Sequence, residues 1–354
     1  MTGNPPPDEV LGVEDLHVTV HDGAATAVRG VTLSVRTGEI VGLVGESGSG
    51  KTLTCRAALG VLPPGCEIRH GRIEFGHQDV TDLSRREWER LHGTGMGAVF
   101  QDPASYLNPN LTVGGQLAEV LRVKQKLGRQ QAHRKAIELF TAVGLHNPVH
   151  VFHQIPTELS GGMLQRVMIA IAISCDPRLL IADEATTALD VTIQAEVIEL
   201  LRELRDQRGL AVLFVSHDLA VIRELCDRVV VFYAGEVVET GPVEQIIERP
   251  RHPYTQALLR VASVGDFRRR QLEVIPGQPP RVGEETTGCR FAERCPAAIP
   301  KCLAGPVDLS TLAPGHHARC IRATDPGLAL ITAAGQSAGQ AAAGQAAAAE
   351  MAAR

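Results

Sequence analysis

Aromatic residues are scarce in this chain: one Trp, three Tyr and eight Phe in 354 residues, none of them before Phe75. No run of 18 apolar residues occurs, so no segment reads as a membrane-spanning helix. The first ten residues are Pro-rich and acidic, and contain no apolar signal region, so a secreted chain is not expected. Only five of the 35 basic residues are Lys, and the net charge of −5 argues against a dedicated nucleic-acid binder. Eight cysteines are present, yet no paired C-x2-C knuckle of the kind zinc favours. The remainder is ordinary for a globular protein, 44% apolar and 21% charged, and the length suggests about two domains with ample core.

What the chain does contain centres on Gly45-Glu46-Ser47-Gly48-Ser49-Gly50-Lys51-Thr52, which matches the phosphate-binding pattern G-x-x-x-x-G-K-[ST]. An apolar strand pattern (40–44) precedes it and a helical pattern (51–59) follows, the setting the motif requires. The glycines allow backbone N–H groups to turn toward phosphate oxygens, and the helix start adds its positive end. Lys51 is placed to reach the β- and γ-phosphates and the Thr52 hydroxyl to bind Mg²⁺.

Around this loop the pattern alternates. Residues 13–20 and 27–35 read as strands of an antiparallel layer, 65–82 as a small hairpin and 84–91 as a short helix. Buried strands are expected at 98–100, 179–182 and 211–215, and helices at 117–143, from Ser160 onward, and at 192–205. Ala234-Gly235 reads as a hairpin turn. Strands alternating with helices predict an α/β fold with a parallel sheet covered on both faces. The expected division is a nucleotide-binding domain over 1–264 with a helical insertion at about 102–176, a Cys-rich extension over 265–327, and a disordered Ala/Gly/Gln tail over 328–354.

Several polar groups sit at strand ends, where open α/β sheets bind ligands. They are Gln101, the pair Asp183-Glu184, and Ser216-His217-Asp218. Asp183 suits a Mg²⁺ shell and Glu184 an attacking water, although an acidic helix cap is an equally ordinary use of such residues. Leu159-Ser160-Gly161-Gly162-Met163 opens a helix with two adjacent glycines, which each cost about 1 kcal/mol relative to Ala inside a helix. A ligand approaching that backbone closely explains them, and a helix N-terminus favours an anion.

As an ordered set these motifs, together with Ala188-Leu189-Asp190, resemble the ATP-binding cassette (ABC) family over roughly residues 10–260. Gln101-Asp102-Pro103, Leu107-Asn108-Pro109, the Leu-Ser-Gly-Gly-Met-Leu-Gln-Arg run from Leu159, and His252-Pro253-Tyr254-Thr255 sharpen the resemblance to the oligopeptide/dipeptide importer ATPases of bacteria. The resemblance implies an ABC-type phosphate-loop core with an antiparallel layer and a helical subdomain. It implies that Gly45, Ser47, Gly48, Ser49, Gly50 and Lys51 hold ATP phosphates, that Thr52, Gln101 and Asp183 serve Mg²⁺, that Glu184 is the catalytic base and that His217 contacts the γ-phosphate. Ser160, Gly161 and Gly162 would touch ATP held by a partner cassette. Three departures stand out: no aromatic occupies the usual adenine-stacking position near Val20-His21, Ala185 replaces a usual Pro, and Met163 replaces a usual Gln.

The implied function is the ATPase subunit of a bacterial peptide importer, peripheral on the cytoplasmic face of the membrane. Its partners would be a second cassette, identical or not, two permease subunits and an extracytoplasmic substrate-binding protein. The face from Gln101 through the helical insertion, including Leu107-Asn108-Pro109, would dock a coupling helix of the membrane subunits. The alternatives are an importer for nickel, glutathione or an antimicrobial peptide, and a soluble ABC ATPase acting on ribosomes or DNA.

The remaining feature is Cys289, Cys295, Cys302 and Cys320, spaced C-x5-C-x6-C-x17-C in a Pro-rich segment with little to fold around. The spacing and the Cys295-Pro296 pair point to a 4Fe–4S cluster, with Arg290, Arg294, Lys301 and Arg319 near enough in sequence to offset its charge. His316 and His317 leave a Cys₃His zinc site open, and four plain reduced thiols remain the simplest alternative.

Overall fold

A computed structural model describes residues 8–185, 191–263, 275–325 and 328. Ala188-Leu189-Asp190 and nearly all of the tail lie outside the described residues.

In chain order the strands are β1 (Glu9–Val20), β2 (Ala25–Arg36), β3 (Ile40–Val44), β4 (Glu67–Phe75), β5 (Gln78–Asp79), β6 (Met96–Val99), β7 (Leu179–Asp183), β8 (Ala211–Val215), β9 (Arg228–Tyr233), β10 (Glu236–Pro242), β11 (Ser310–Ala313) and β12 (His316–Ala318). The helices are α1 (Lys51–Ala58), α2 (Arg85–Leu91), α3 (Pro103–Tyr106), α4 (Val113–Lys124), α5 (Arg129–Ala142), α6 (Pro148–Phe152), α7 (Gly161–Ile173), α8 (Val191–Arg208), α9 (Leu219–Leu225), α10 (Val243–Glu248) and α11 (Pro253–Ser263).

The main sheet runs β11-β12-β10-β9-β3-β8-β7-β6, and β9, β3, β8, β7 and β6 are mutually parallel. A second, antiparallel sheet runs β2-β1-β4-β5. The period-2 geometry of a strand sends alternate residues of the central strands to opposite faces. Ile40, Val44, Leu180, Ala182, Val212 and Phe214 join a core shared with α4, α5, α7, α8 and α9. Val41, Leu43, Leu179, Ile181, Leu213 and Val215 join a second core with α1 and the antiparallel sheet. Both faces of the parallel sheet are therefore covered, which is why its strands read as unbroken apolar runs.

One sequence expectation needs correction. The helix expected over 117–143 is two helices, α4 and α5, that pack against each other. Lys126 adopts a left-handed φ of 56°, and Gly128 starts the second helix with its N–H donated to the Gln131 side chain at 3.0 Å. The apolar periodicity continues across the break, so it conceals the reversal. The Cys-rich extension joins the nucleotide-binding core: β12 pairs with β10 (Glu239 with Ala318, Thr240 with His317) and β11 pairs with β12, so the extension supplies the outer strands of the main sheet.

Candidate functional site

The parallel strands deliver the motifs to one edge. The phosphate loop follows β3, Gln101 follows β6, Asp183 ends β7 and His217 follows β8. These are the carboxyl ends of neighbouring strands, the expected ligand edge of such a sheet.

Gly45 has φ 148°, and a Cβ there would lie 2.2 Å from the Phe232 carbonyl oxygen, so the loop can leave β3 only through a glycine. Gly50 caps α1 with a left-handed φ of 104°, and no acidic residue occupies the first turn, which leaves the helix start free for an anion. Gly48 also has positive φ, 76°, and nothing lies within 4 Å of where its Cβ would be: the loop crest faces open space. The Gly235 N–H donates to the Ser49 carbonyl at 3.0 Å, so the β9–β10 turn braces the loop from behind.

Lys51 is buried, and its ammonium donates to the Gly45 and Glu46 carbonyls at 2.9 Å and to Ser49 Oγ at 3.3 Å. Burial lowers its pKa, opposed by Glu184 and Asp183. The Thr52 hydroxyl donates to Asp183 Oδ1 at 3.1 Å. Burial raises the Asp183 pKa, the Thr52 hydrogen bond lowers it and the charge of Glu184 raises it. A hydroxyl and a buried carboxylate beside the phosphate loop form a hard-oxygen donor pair suited to Mg²⁺.

Gln101 Nε2 donates to Glu184 Oε2 at 2.9 Å, and His217 Nδ1 stands 3.9 Å from the same oxygen. Glu184 itself has a left-handed φ of 52°, held by its N–H donating to the Val215 carbonyl at 3.1 Å. A non-glycine residue in that region costs about 1–3 kcal/mol and is concentrated at functional sites. Lys51, Thr52, Asp183, Glu184, Gln101 and His217 are thus gathered. Gln101 faces Glu184 and makes no hydrogen bond to the Thr52–Asp183 pair among the described residues.

Ser160, Gly161 and Gly162 form a separate surface. Ser160 Oγ accepts from the Met163 N–H at 3.3 Å and caps α7. Ser160 and Gly161 are exposed, with nothing within 4 Å of a Cβ at Gly161, whereas Gly162 is closed off by Ile193. This helix start makes no hydrogen bond to the phosphate loop among the described residues, so it is open to a ligand brought from outside.

Cys289, Cys295, Cys302 and Cys320 all line one small cavity, of about 20 Å³, and the Cys289 N–H donates to the Cys302 carbonyl at 2.8 Å. None forms a disulfide. Burial pushes the Cys289 thiol up to about 12 and the Cys295 thiol up to about 11. The convergence expected from spacing is therefore present, but no group of three or more His, Cys, Asp or Glu among the described residues is arranged to hold a metal ion. The Cys₃His alternative meets a direct obstacle. His316 donates to Glu239 Oε1 at 2.8 Å, His317 pairs with the Thr311 hydroxyl at 3.1 Å, and neither lines the cavity. The histidine that does line it is His252, which is fully buried with no hydrogen-bond partner for Nε2. In sequence His252 is marked only by the His252-Pro253-Tyr254-Thr255 motif.

A wider cavity, about 780 Å³, opens between the antiparallel sheet and the outer strands, lined by residues such as Arg36, Arg72 and His317. No phosphate-loop residue lines it, and the motif geometry locates the site better than cavity size does.

A phosphate loop on a parallel sheet, with carboxylates at the next strand end and a second glycine-bearing helix start, defines a nucleotide-binding cassette that hydrolyses its ligand. Residues 28–187 match the family model described as ABC transporter, and residues 238–302 that described as oligopeptide/dipeptide transporter, C-terminal region. A probable peptide ABC transporter ATP-binding protein of Sinorhizobium fredii is 43% identical over 331 residues, 92% of this chain and 98% of that protein. The dipeptide transport ATP-binding protein of Escherichia coli is 43% identical over 313 residues, 88% of this chain and 96% of that one. A solved ATP-binding cassette, dimeric and bound to ADP and Pi, superposes with a TM-score of 0.60 at 26% identity, covering 66% of this chain and 98% of that chain. The chain belongs to the ABC transporter family, as a transport-coupled ATPase of its oligopeptide/dipeptide branch. Among the described residues no helix is long and apolar enough to cross a membrane.

Proposed function

We propose that this chain powers the import of dipeptides or oligopeptides from a peripheral position on the cytoplasmic face of a bacterial membrane. Its partners in this reading are a second cassette, two permease subunits and an extracytoplasmic substrate-binding protein. The observation that carries it is the extension: residues 238–302 match the C-terminal region of oligopeptide/dipeptide transporters, in addition to the cassette.

The geometry supports the following residue roles. In this reading Lys51 and the loop amides from Gly45 to Thr52 hold phosphate, and Thr52, Asp183 and Gln101 serve Mg²⁺, with Thr52 and Asp183 already paired and Gln101 hydrogen-bonded to Glu184. Mg²⁺, when bound, neutralises charge on the phosphates. Glu184 takes the proton of an attacking water, and His217 stands beside it to meet the terminal phosphate. Ser160, Gly161 and Gly162 present their helix start to nucleotide on the opposing cassette, so closure of two cassettes completes each site. Tyr106 and Leu111, both about half exposed, flank Leu107-Asn108-Pro109 and supply apolar surface for a membrane-subunit helix. Reconstitution with the permeases tests the substrate class. Peptide-loaded binding protein should stimulate ATP hydrolysis, whereas stimulation by nickel or glutathione alone would contradict peptide import.

The cysteine cavity is the proposed seat of a 4Fe–4S cluster with a structural or redox role. Four cysteines around one cavity support it; of the expected counter-charges Arg294 is taken by Glu46 and Arg319 by the Val237 and Val307 carbonyls, and Arg322 instead neighbours Cys302 and Cys320 electrostatically. Protein purified anaerobically should be brown, with iron and sulfide in equal amounts. One zinc per chain would overturn the cluster, and a metal-free folded extension would favour plain thiols.

A further inference from the structure

The extension does more than extend the sheet: it grips the phosphate loop. Arg294 ends a short 3-10 turn (Ala292–Arg294) just before Cys295, and its side chain is 5% exposed. Its Nη1 donates to Glu46 Oε2 at 2.8 Å and its Nη2 to Glu46 Oε1 at 2.9 Å, a two-pronged pair reaching across 248 positions to the second residue of the phosphate loop. The remaining donors are also used: Nη1 to the Tyr233 hydroxyl at 3.2 Å, Nη2 to the Ile275 carbonyl at 3.1 Å and Nε to the Pro276 carbonyl at 2.9 Å. The guanidinium lies 5.6 Å from the Tyr233 ring centre and 5.8 Å from that of Phe291. Desolvation works against its charge, but the hydrogen bonds to Glu46 and Tyr233 outweigh it and raise its pKa.

Glu46 is held from three sides. Its N–H donates to the Tyr254 hydroxyl at 2.8 Å, its carbonyl accepts from Lys51 Nζ at 2.9 Å, and its carboxylate is taken by Arg294. The Glu46 carbonyl is thus one of the oxygens that fix where the Lys51 ammonium waits, and its position is set from outside the cassette. A surface ion pair would contribute little, but a bidentate, largely buried one with every donor used has geometric authority.

We propose that Arg294 is a positioning residue for the phosphate loop, so that the docked extension sets nucleotide affinity. A purely structural role, merely gluing the extension to the cassette, predicts lower stability without a specific effect on nucleotide binding. The test is the affinity of the full chain for a fluorescent ATP analogue with Mg²⁺, together with the unfolding midpoint measured without nucleotide. Arg294→Ala should weaken binding about tenfold and Arg294→Lys about threefold, because an ammonium keeps the charge but cannot serve both carboxylate oxygens. Adding Glu46→Gln to Arg294→Ala should weaken binding no further, since both substitutions break the same pair. The proposal is overturned if Arg294→Ala binds within about twofold of the parent, or if the two substitutions act additively. Should Arg294→Ala fail to fold, Arg294→Lys decides: a parental unfolding midpoint with parental affinity also overturns it.

Discussion

Glu239 has a fully buried side chain, and its carboxylate ties three parts of the molecule together. Oε1 accepts from the Arg251 N–H at 2.7 Å and from His316 Nε2 at 2.8 Å, and Oε2 accepts from the His252 N–H at 2.9 Å. One side chain on β10 therefore holds β12 of the extension and the turn leading to Tyr254, which in turn reaches the phosphate loop. Glu239→Ala would orphan all three donors. Arg251 is exposed, so its N–H can recruit water, but His252 and His316 are 0% and 4% exposed and cannot. Two stranded buried donors at about 1–3 kcal/mol each give a loss of about 4 kcal/mol. Glu239→Gln, which keeps one acceptor oxygen, should lose about half of that. Hydrogen exchange reads the effect locally: amides of β12 and of residues 251–254 should exchange about a thousandfold faster in the Ala variant, with the parallel strands changed far less. An acceleration below about tenfold would refute the reasoning, because it would mean that the buried donors find other partners.

Two further outcomes follow from the structure. Burial lowers the His252 pKa from 6.5 to about 4, so the folded state refuses a proton that the unfolded chain accepts. Its contribution to stability is full above about pH 6.5 and falls by about 1.4 kcal/mol per pH unit down to about pH 4; the unfolding midpoint should track this, and His252→Gln should flatten the slope. Equal slopes in parent and variant would contradict it. Separately, no aromatic side chain precedes Phe75 to stack on a base, and His21 is an exposed turn residue with φ 54°. Stacking is worth about 1–3 kcal/mol per base, so without it GTP should compete with ATP in binding, and discrimination above about a hundredfold would oppose this.

The phosphate loop was legible because its chemistry is local: eight consecutive residues between a strand and a helix specify the cradle. Gln101, Asp183, Glu184 and His217 were legible because each follows an apolar strand run, and parallel strands bring their ends to one edge. The α4–α5 break was hidden because an apolar stripe does not reveal a chain reversal made by one left-handed Lys and one Gly. β12, three residues long, is too short to show alternation, so the extension's place in the main sheet had no sequence signal. In sequence Tyr254 shows only as part of a family motif, Arg294 only as a counter-charge for the cysteines, and Glu239 not at all, because their partners come from far along the chain. The cysteines line one cavity, while His316 and His317, close to Cys320 in sequence, are claimed by Glu239 and Thr311.

Glu184, just past the end of β7 and within reach of Gln101 and His217, is the proposed base for ATP hydrolysis at the phosphate loop. The most direct measurement is steady-state ATP turnover of the assembled transporter carrying Glu184→Gln, alongside its ATP binding. Turnover should fall by about 10²–10⁴-fold, the usual contribution of a general base, with ATP still bound through Lys51, Thr52 and Asp183. Near-parental turnover in that variant would contradict it.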